Sequence, residues 1–240
     1  VAGVWKSENG EGALPFKAQR FAVRGGEVHA EKIAGVETKA TLAWPVFEAM
    51  GGIQMDAFNA LVKKTVMDAY AQFRASTEEA LRGVEPSEER LPEMSFDMSD
   101  DMVTFHSPAL ASMFYVTYEY SGGAHGMSSF TPINAQIGAD GSITMLSLKD
   151  LFNTPGFLEP LSTFVLGVLE KAEASFVVDG TVDSFTAEDL AGFTVSPRGA
   201  TFHFDPYAVA SYAEGAFDVV VPFTELKELW NPVIIKALNG

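Results

Sequence analysis

The stretch from Leu110 to Gly126 constrains this chain more than any other. Phe114, Val116, Tyr118 and Tyr120 repeat at a spacing of two, with Tyr115, Thr117 and Glu119 between them. That is the period of a β-strand, whose successive side chains point to opposite faces. The strand runs into Ser121-Gly122-Gly123-Ala124-His125-Gly126, a loop with three glycines and one of the chain's four histidines. An extended pattern resumes from Ser128 to Ile137. Glycine permits backbone angles and close approaches that side chains forbid, and loops present binding groups. The loop is the leading candidate for a functional surface.

The rest of the chain mixes two periods. Short alternating runs from 21 to 48 predict strands, with Val36, Thr38, Ala40 and Leu42 on one face. Residues 56–82 predict a long helix: Phe58, Leu61, Val62, Val66, Ala69, Tyr70 and Phe73 follow the helical repeat. Asp56 is the expected cap, with Asn59 in the place of the usual capping-box acid, and Gly83 and Pro86 end the helix. Residues 83–95, rich in Glu and Pro, read as a loop or the approach to a strand, and 95–107 as one or two strands. Asp140-Gly141 predicts a turn into a strand at 142–146. A second helix is expected from Leu158 to Ala172, tolerating Pro160 in its first turn. A hairpin at 193–204 and a strand from Phe217 to Phe223 follow, the latter an edge or ending at Pro222. Thr224 to Leu238 reads as short helix or turn interrupted by Pro232. The expected class is α+β: two long helices packed on mixed, mostly antiparallel sheets. Residues 1–20 and 233–240 read as tails, flanking modules at 21–107 and 108–232.

Composition excludes several functions. The 240 residues carry 32 acidic against 16 basic side chains, a formal charge of −16. Such a chain repels nucleic acid and attracts cationic partners in a salt-dependent way. The absence of Cys removes disulfides, thiolate metal sites and a Cys nucleophile. No apolar run reaches the length of a membrane span. Because the first residue is Val, a signal peptide or membrane anchor outside this chain is expected.

Three roles are open to His125: holding the loop by a hydrogen bond to backbone, contacting a ligand, or acting as a base. Gly122, Gly123 and Gly126 are expected to hold special backbone angles, since neither phosphate-loop nor dinucleotide spacing is present. Ser121 and Ser128 flank His125, but the nucleophile-elbow pattern is absent. His203, between Phe202 and Phe204, faces away from them together with Thr201 and Asp205, and an exposed sheet surface is expected for it. Tyr207 and Tyr212 either pack a crossover or line a glycan- or protein-binding surface. Asp97, Asp100 and Asp101 lack the spacing of a calcium loop, and four dispersed histidines do not suggest zinc. No metal, cofactor or catalytic residue is assigned. The expected binding face joins Tyr118, Tyr120, Ser121, Gly122, Gly123, His125 and Gly126 to His203, Tyr207 and Tyr212.

Several of these patterns resemble a known family: the extracytoplasmic domain of the anti-sigma factor RsiV and of PdaC-type peptidoglycan deacetylases (DUF3298, with a companion N-terminal DUF4163 module). The resembling residues are Tyr118 to Gly126, Ala139 to Phe152, and Phe193 through Gly199, Phe202, Phe204, Tyr207, Val209, Ala210 and Tyr212 to Gly215. Trp44-Pro45-Val46-Phe47 and Asn59 fill the places of the companion module, with Trp where the family has Tyr. The resemblance implies an extracytoplasmic binding or sensing module; a monomer is expected. It implies no named ligand; in RsiV the corresponding region binds lysozyme, and the partner expected here is a cationic protein such as lysozyme, or peptidoglycan fragments. The alternative it implies is an accessory part of, or itself, a peptidoglycan- or glycan-processing hydrolase using His125.

Overall fold

Strands β1 (Ala2–Lys6) and β2 (Ala13–Lys17) pair antiparallel, so part of the expected N-terminal tail is a hairpin. The computed structural model describes residues 2–6, 13–17, 22–83 and 93–239. Most of the Glu- and Pro-rich stretch, including Pro86, lies outside the described residues.

The central element is a six-stranded sheet of β3 (Ala22–Ile33), β4 (Val36–Phe47), β5 (Met94–His106), β6 (Leu110–Tyr120), β7 (Met127–Ile137) and β8 (Ile143–Met145), in sequence order. Every neighbouring pair is antiparallel except β4 and β5. Parallel neighbours need a crossover, and helix α1 (Asp56–Ala80) lies within it. The sheet is therefore mixed but mostly antiparallel, as the sequence predicts. Positions 107 and 108, the expected module boundary, fall between β5 and β6, which pair along much of their lengths.

α1 buries Phe58, Val62, Val66, Tyr70, Phe73 and Thr77, a stripe at helical spacing. It covers one face of the sheet, supplied on β6 and β7 by Ala111, Met113, Tyr115, Ile133, Ala135 and Ile137. Asp56 does not cap the helix: Met55 holds the N-cap position and no side chain bonds there. Asn59 has another task. Its Oδ1 accepts from Phe47 N–H at 2.8 Å and its Nδ2 donates to Phe47 O at 3.0 Å, tying the helix to the end of β4.

The other face of the sheet meets a second, three-stranded antiparallel sheet of β9 (Phe193–Ser196), β10 (Gly199–Phe204) and β11 (Phe217–Pro222), with β10 in the middle. β11 is an edge strand that ends at Pro222, which has no N–H to give a further neighbour. Helix α2 (Leu158–Lys171) buries Leu161, Val165 and Leu169 in a core shared with Val195, Phe202, Phe204, Val219 and Val221. A one-turn helix α3 (Ser175–Val178) follows α2. Helix α4 (Pro232–Asn239) begins at Pro232, the first-turn position where the missing N–H costs nothing, and buries Ile234 and Leu238. The C-terminal stretch expected as a tail is thus part of the second core.

Side chains join the two sheets. Thr104 Oγ1 donates a hydrogen bond at 3.0 Å to Val195 O. Ser112 Oγ accepts from Val195 N–H at 2.8 Å, and Asn134 Nδ2 donates to Phe193 O at 2.7 Å. Ser112 Oγ also donates to Asn134 Oδ1 at 2.6 Å. These three residues of β5, β6 and β7 stand in for a neighbouring strand. They satisfy buried backbone groups of β9 that would otherwise be costly.

Candidate functional site

The loop between β6 and β7 is shaped by its glycines. Gly122 and Gly123 have φ of 103° and 97°, a region that side chains disfavour. Gly126 is needed for a different reason: a Cβ there would lie 2.4 Å from Tyr118 Cζ and 2.7 Å from Glu119 O. The Tyr118 ring lies against that backbone and is 40% exposed. Tyr120 also closes the loop, its hydroxyl donating to Gly123 O at 3.0 Å.

His125 is exposed. Its Nδ1 lies 2.9 Å from Gly126 O. A carbonyl only accepts, so Nδ1 carries the proton and Nε2 of the neutral ring is an acceptor. The ring stacks on Tyr212 at a centroid distance of 3.7 Å and 16° between planes. The Tyr212 hydroxyl donates to the same Gly126 carbonyl at 3.0 Å. Tyr207 lies beside Tyr212, with centroids 5.6 Å apart. The structure therefore brings the loop and the 207–212 segment together. Ser121 is exposed and Ser128 half-buried, and neither hydroxyl is hydrogen-bonded to His125.

Tyr207 is held in an unusual conformation. Ala208 N–H donates to Asp205 O at 3.0 Å, closing a turn with Pro206 and Tyr207 at its centre. Tyr207 has φ of 72°, where such a turn ordinarily carries glycine. A tyrosine there is strained, and the surrounding structure must impose the conformation. The result is a side chain 50% exposed beside the His125–Tyr212 stack.

The ends of this aromatic segment are fastened by carboxylates. Asp205 Oδ1 accepts from Phe130 N–H of β7 at 2.7 Å. Burial pushes the Asp205 carboxyl up from its ordinary value, against the pull of that hydrogen bond. At the other end, Glu214 accepts from Ser175 N–H at 3.2 Å and Ser175 Oγ at 2.7 Å. It also accepts from Ser211 N–H at 3.1 Å and Ser211 Oγ at 2.7 Å. These bonds, led by the two hydroxyls, hold the exposed Glu214 carboxyl down to about 2.

His203 corrects an expectation. It is buried, not on an open sheet surface, because Phe114 and Phe130 of the large sheet cover that side of β10 at 4.5 and 5.3 Å. Its carboxylate partner is Asp218, opposite it on β11, with Nδ1 2.7 Å from Oδ1. Its Nε2 lies 2.9 Å from Thr194 Oγ1 on β9. A hydroxyl, an imidazole and a carboxylate in line is the arrangement of a hydrolytic relay. Here Thr194 is 1% exposed, so no substrate reaches the hydroxyl. The trio links three strands and is set apart from the loop's face. Sequence reasoning missed Thr194 and Asp218 because only the strand register pairs them with His203.

Asp97 accepts from Ser99, and Asp101 pairs with Arg24 at 3.3 Å. Among the described residues, no three His, Asp or Glu side chains converge on a point that would hold a metal ion. Clefts lie elsewhere, including one of 530 Å³ beside the N-terminal end of α2 and one of 500 Å³ between β7 and Lys149.

Residues 34–128 match the family model described as Deacetylase PdaC, and residues 149–224 match Protein of unknown function (DUF3298). The loop at 121–126 lies in the first segment and the aromatic stretch at 207–212 in the second, so the face combines both. No curated protein matches the chain. A solved DUF3298-family structure from Bacteroides fragilis NCTC 9343 is 17% identical, with a TM-score of 0.61 over 90% of this chain and 97% of that one. Another, from Pseudomonas aeruginosa PAO1, is 16% identical, with a TM-score of 0.60 over 89% and 96%. Among the described residues, no helix is long and apolar enough to cross a membrane. The chain has the fold of these DUF3298 proteins, with a PdaC-type segment at 34–128 and a DUF3298 segment at 149–224.

Proposed function

We propose that the chain is an extracytoplasmic, non-enzymatic binding module for a cell-envelope ligand, a lysozyme-like cationic protein before peptidoglycan. The observation that carries this reading is the surface formed by His125 stacked on Tyr212, flanked by Tyr207 and Tyr118, at 50% and 40% exposure. Exposed tyrosines offer contact area with little rotamer entropy to lose. A formal charge of −16 favours encounter with a cationic protein. The kinship with RsiV and the DUF4163 module, suggested by motif resemblance, supports an envelope setting, as does the PdaC match. An anchor outside this chain and a monomeric state belong to the same proposal.

Calorimetry against a c-type lysozyme at low and physiological salt tests it. Saturable binding that survives physiological salt and weakens at least tenfold in His125→Ala and Tyr207→Ala is expected. Binding seen only at low salt would reduce the acidic surface to non-specific attraction and shift the search to peptidoglycan fragments.

The PdaC match also favours a second reading, an accessory part of, or itself, a glycan-processing hydrolase using His125 as base. A base is usually oriented by an acid, whereas His125 Nδ1 is engaged by the Gly126 carbonyl. Acetate or sugar release from purified peptidoglycan, lost in His125→Ala, would favour this reading over the first.

A further inference from the structure

We infer that Glu214 is the positioning residue of the His125–Tyr212 stack. Its carboxylate brackets Ser175 at the start of α3 and Ser211 at the head of the short 3-10 turn Tyr212–Glu214. Tyr212 is the first residue of that turn. The bracket therefore fixes both the direction in which the chain enters the turn and the ring that leaves it. That ring makes two contacts with the loop, the stack on His125 and the hydrogen bond to Gly126 O. Among the described residues, no other carboxylate accepts from Ser175 or Ser211. The side chain belongs to neither hydrophobic core, so its effect on the face need not pass through loss of the fold.

The consequence for ligand binding rests on the reading of this face as a recognition surface; the positioning itself does not. NMR of the free protein separates the two. An imidazole packed face-on against a tyrosine has its carbon-bound ring protons shifted upfield and shows cross-relaxation with Tyr212. Glu214→Gln removes a negative acceptor and leaves an amide that cannot receive all four bonds, so both signatures of His125 should lose most of their intensity. Ser175→Ala removes a hydroxyl that donates to Glu214 and also accepts from Ser211 N–H at 3.3 Å; it spares the Ser211–Glu214 box and should give a smaller change in the same direction. Glu214→Asp should restore part of the signal.

Asp189→Ala is the matched control. It removes a similar exposed carboxylate that accepts from Thr186 N–H and Oγ1, both at 2.7 Å. It should leave His125 unchanged. If His125 keeps its shifts and its Tyr212 contact in both Glu214→Gln and Ser175→Ala, the inference is wrong. Equal changes in the Asp189→Ala control would also overturn it, by showing a general loosening. If the signatures respond but no envelope ligand binds the native protein, positioning stands and the binding reading falls.

Discussion

At Tyr207 the chain accepts backbone strain and obtains an exposed ring. A non-glycine residue at φ 72° costs on the order of 1 kcal/mol, which glycine would not incur. Tyr207→Gly should therefore raise the midpoint of thermal unfolding, by an amount equivalent to about 1 kcal/mol, while weakening ligand binding. A lowered midpoint would mean that the ring packs more than it recognises. Gly126 makes the opposite case. Its missing side chain leaves room for the Tyr118 ring and the Glu119 carbonyl. Gly126→Ala should cost roughly 1–3 kcal/mol, read by urea denaturation. A neutral result would show that the Tyr118 ring simply moves aside.

At the scale of elements, the structure relies on side chains acting as strand partners. β8 covers only Ala135 to Ile137 of β7, leaving the first part of that strand as an edge. Asp205 takes the Phe130 N–H, and Pro132, two residues on, has no N–H to offer. Both devices protect an edge from unwanted pairing. Asp205→Ala should destabilise by about 1–3 kcal/mol because it leaves that donor unsatisfied. Asp205→Asn retains an acceptor without a buried charge and should be close to neutral; equal losses in the two variants would refute this account. The Thr104–Ser112–Asn134 cluster does similar work for β9, deeper in the protein. Asn134→Ala strands Phe193 O and breaks the link to Ser112, so a loss of about 2–3 kcal/mol is expected by chemical denaturation. A loss under 0.5 kcal/mol would place the join between the sheets elsewhere.

For the molecule as a whole, carboxylates of two kinds and one half-buried histidine set the response to pH. Burial raises the carboxyl groups of Asp101, Glu119 and Asp205. Their favourable contribution is fully present below about pH 4 and is lost as pH rises through their folded values. Glu214, held down to about 2, contributes above its ordinary value and loses that contribution as pH falls towards 2. Repulsion within a chain of formal charge −16 also eases on acidification. Burial holds His106 below its ordinary value, so its contribution is present above about pH 6.5 and is lost as pH falls through the folded value, against the trend of the raised carboxyls. Denaturant midpoints should therefore stay nearly level from about pH 7.5 to 5 and fall below about 4; a midpoint that goes on rising as pH drops from about 4 to 2 would contradict this. The sequence by itself determined the α+β class, the long helices and strands, and the glycine loop, because period and turn chemistry are local. It also brought Tyr207 and Tyr212 to notice as aromatics of the right kind. Only the tertiary structure decided that His203 is buried and paired with Asp218, that Asn59 holds a strand end, and that the C-terminal stretch is core. Each depends on which strand lies opposite and what covers the face, and residue spacing along one chain carries neither.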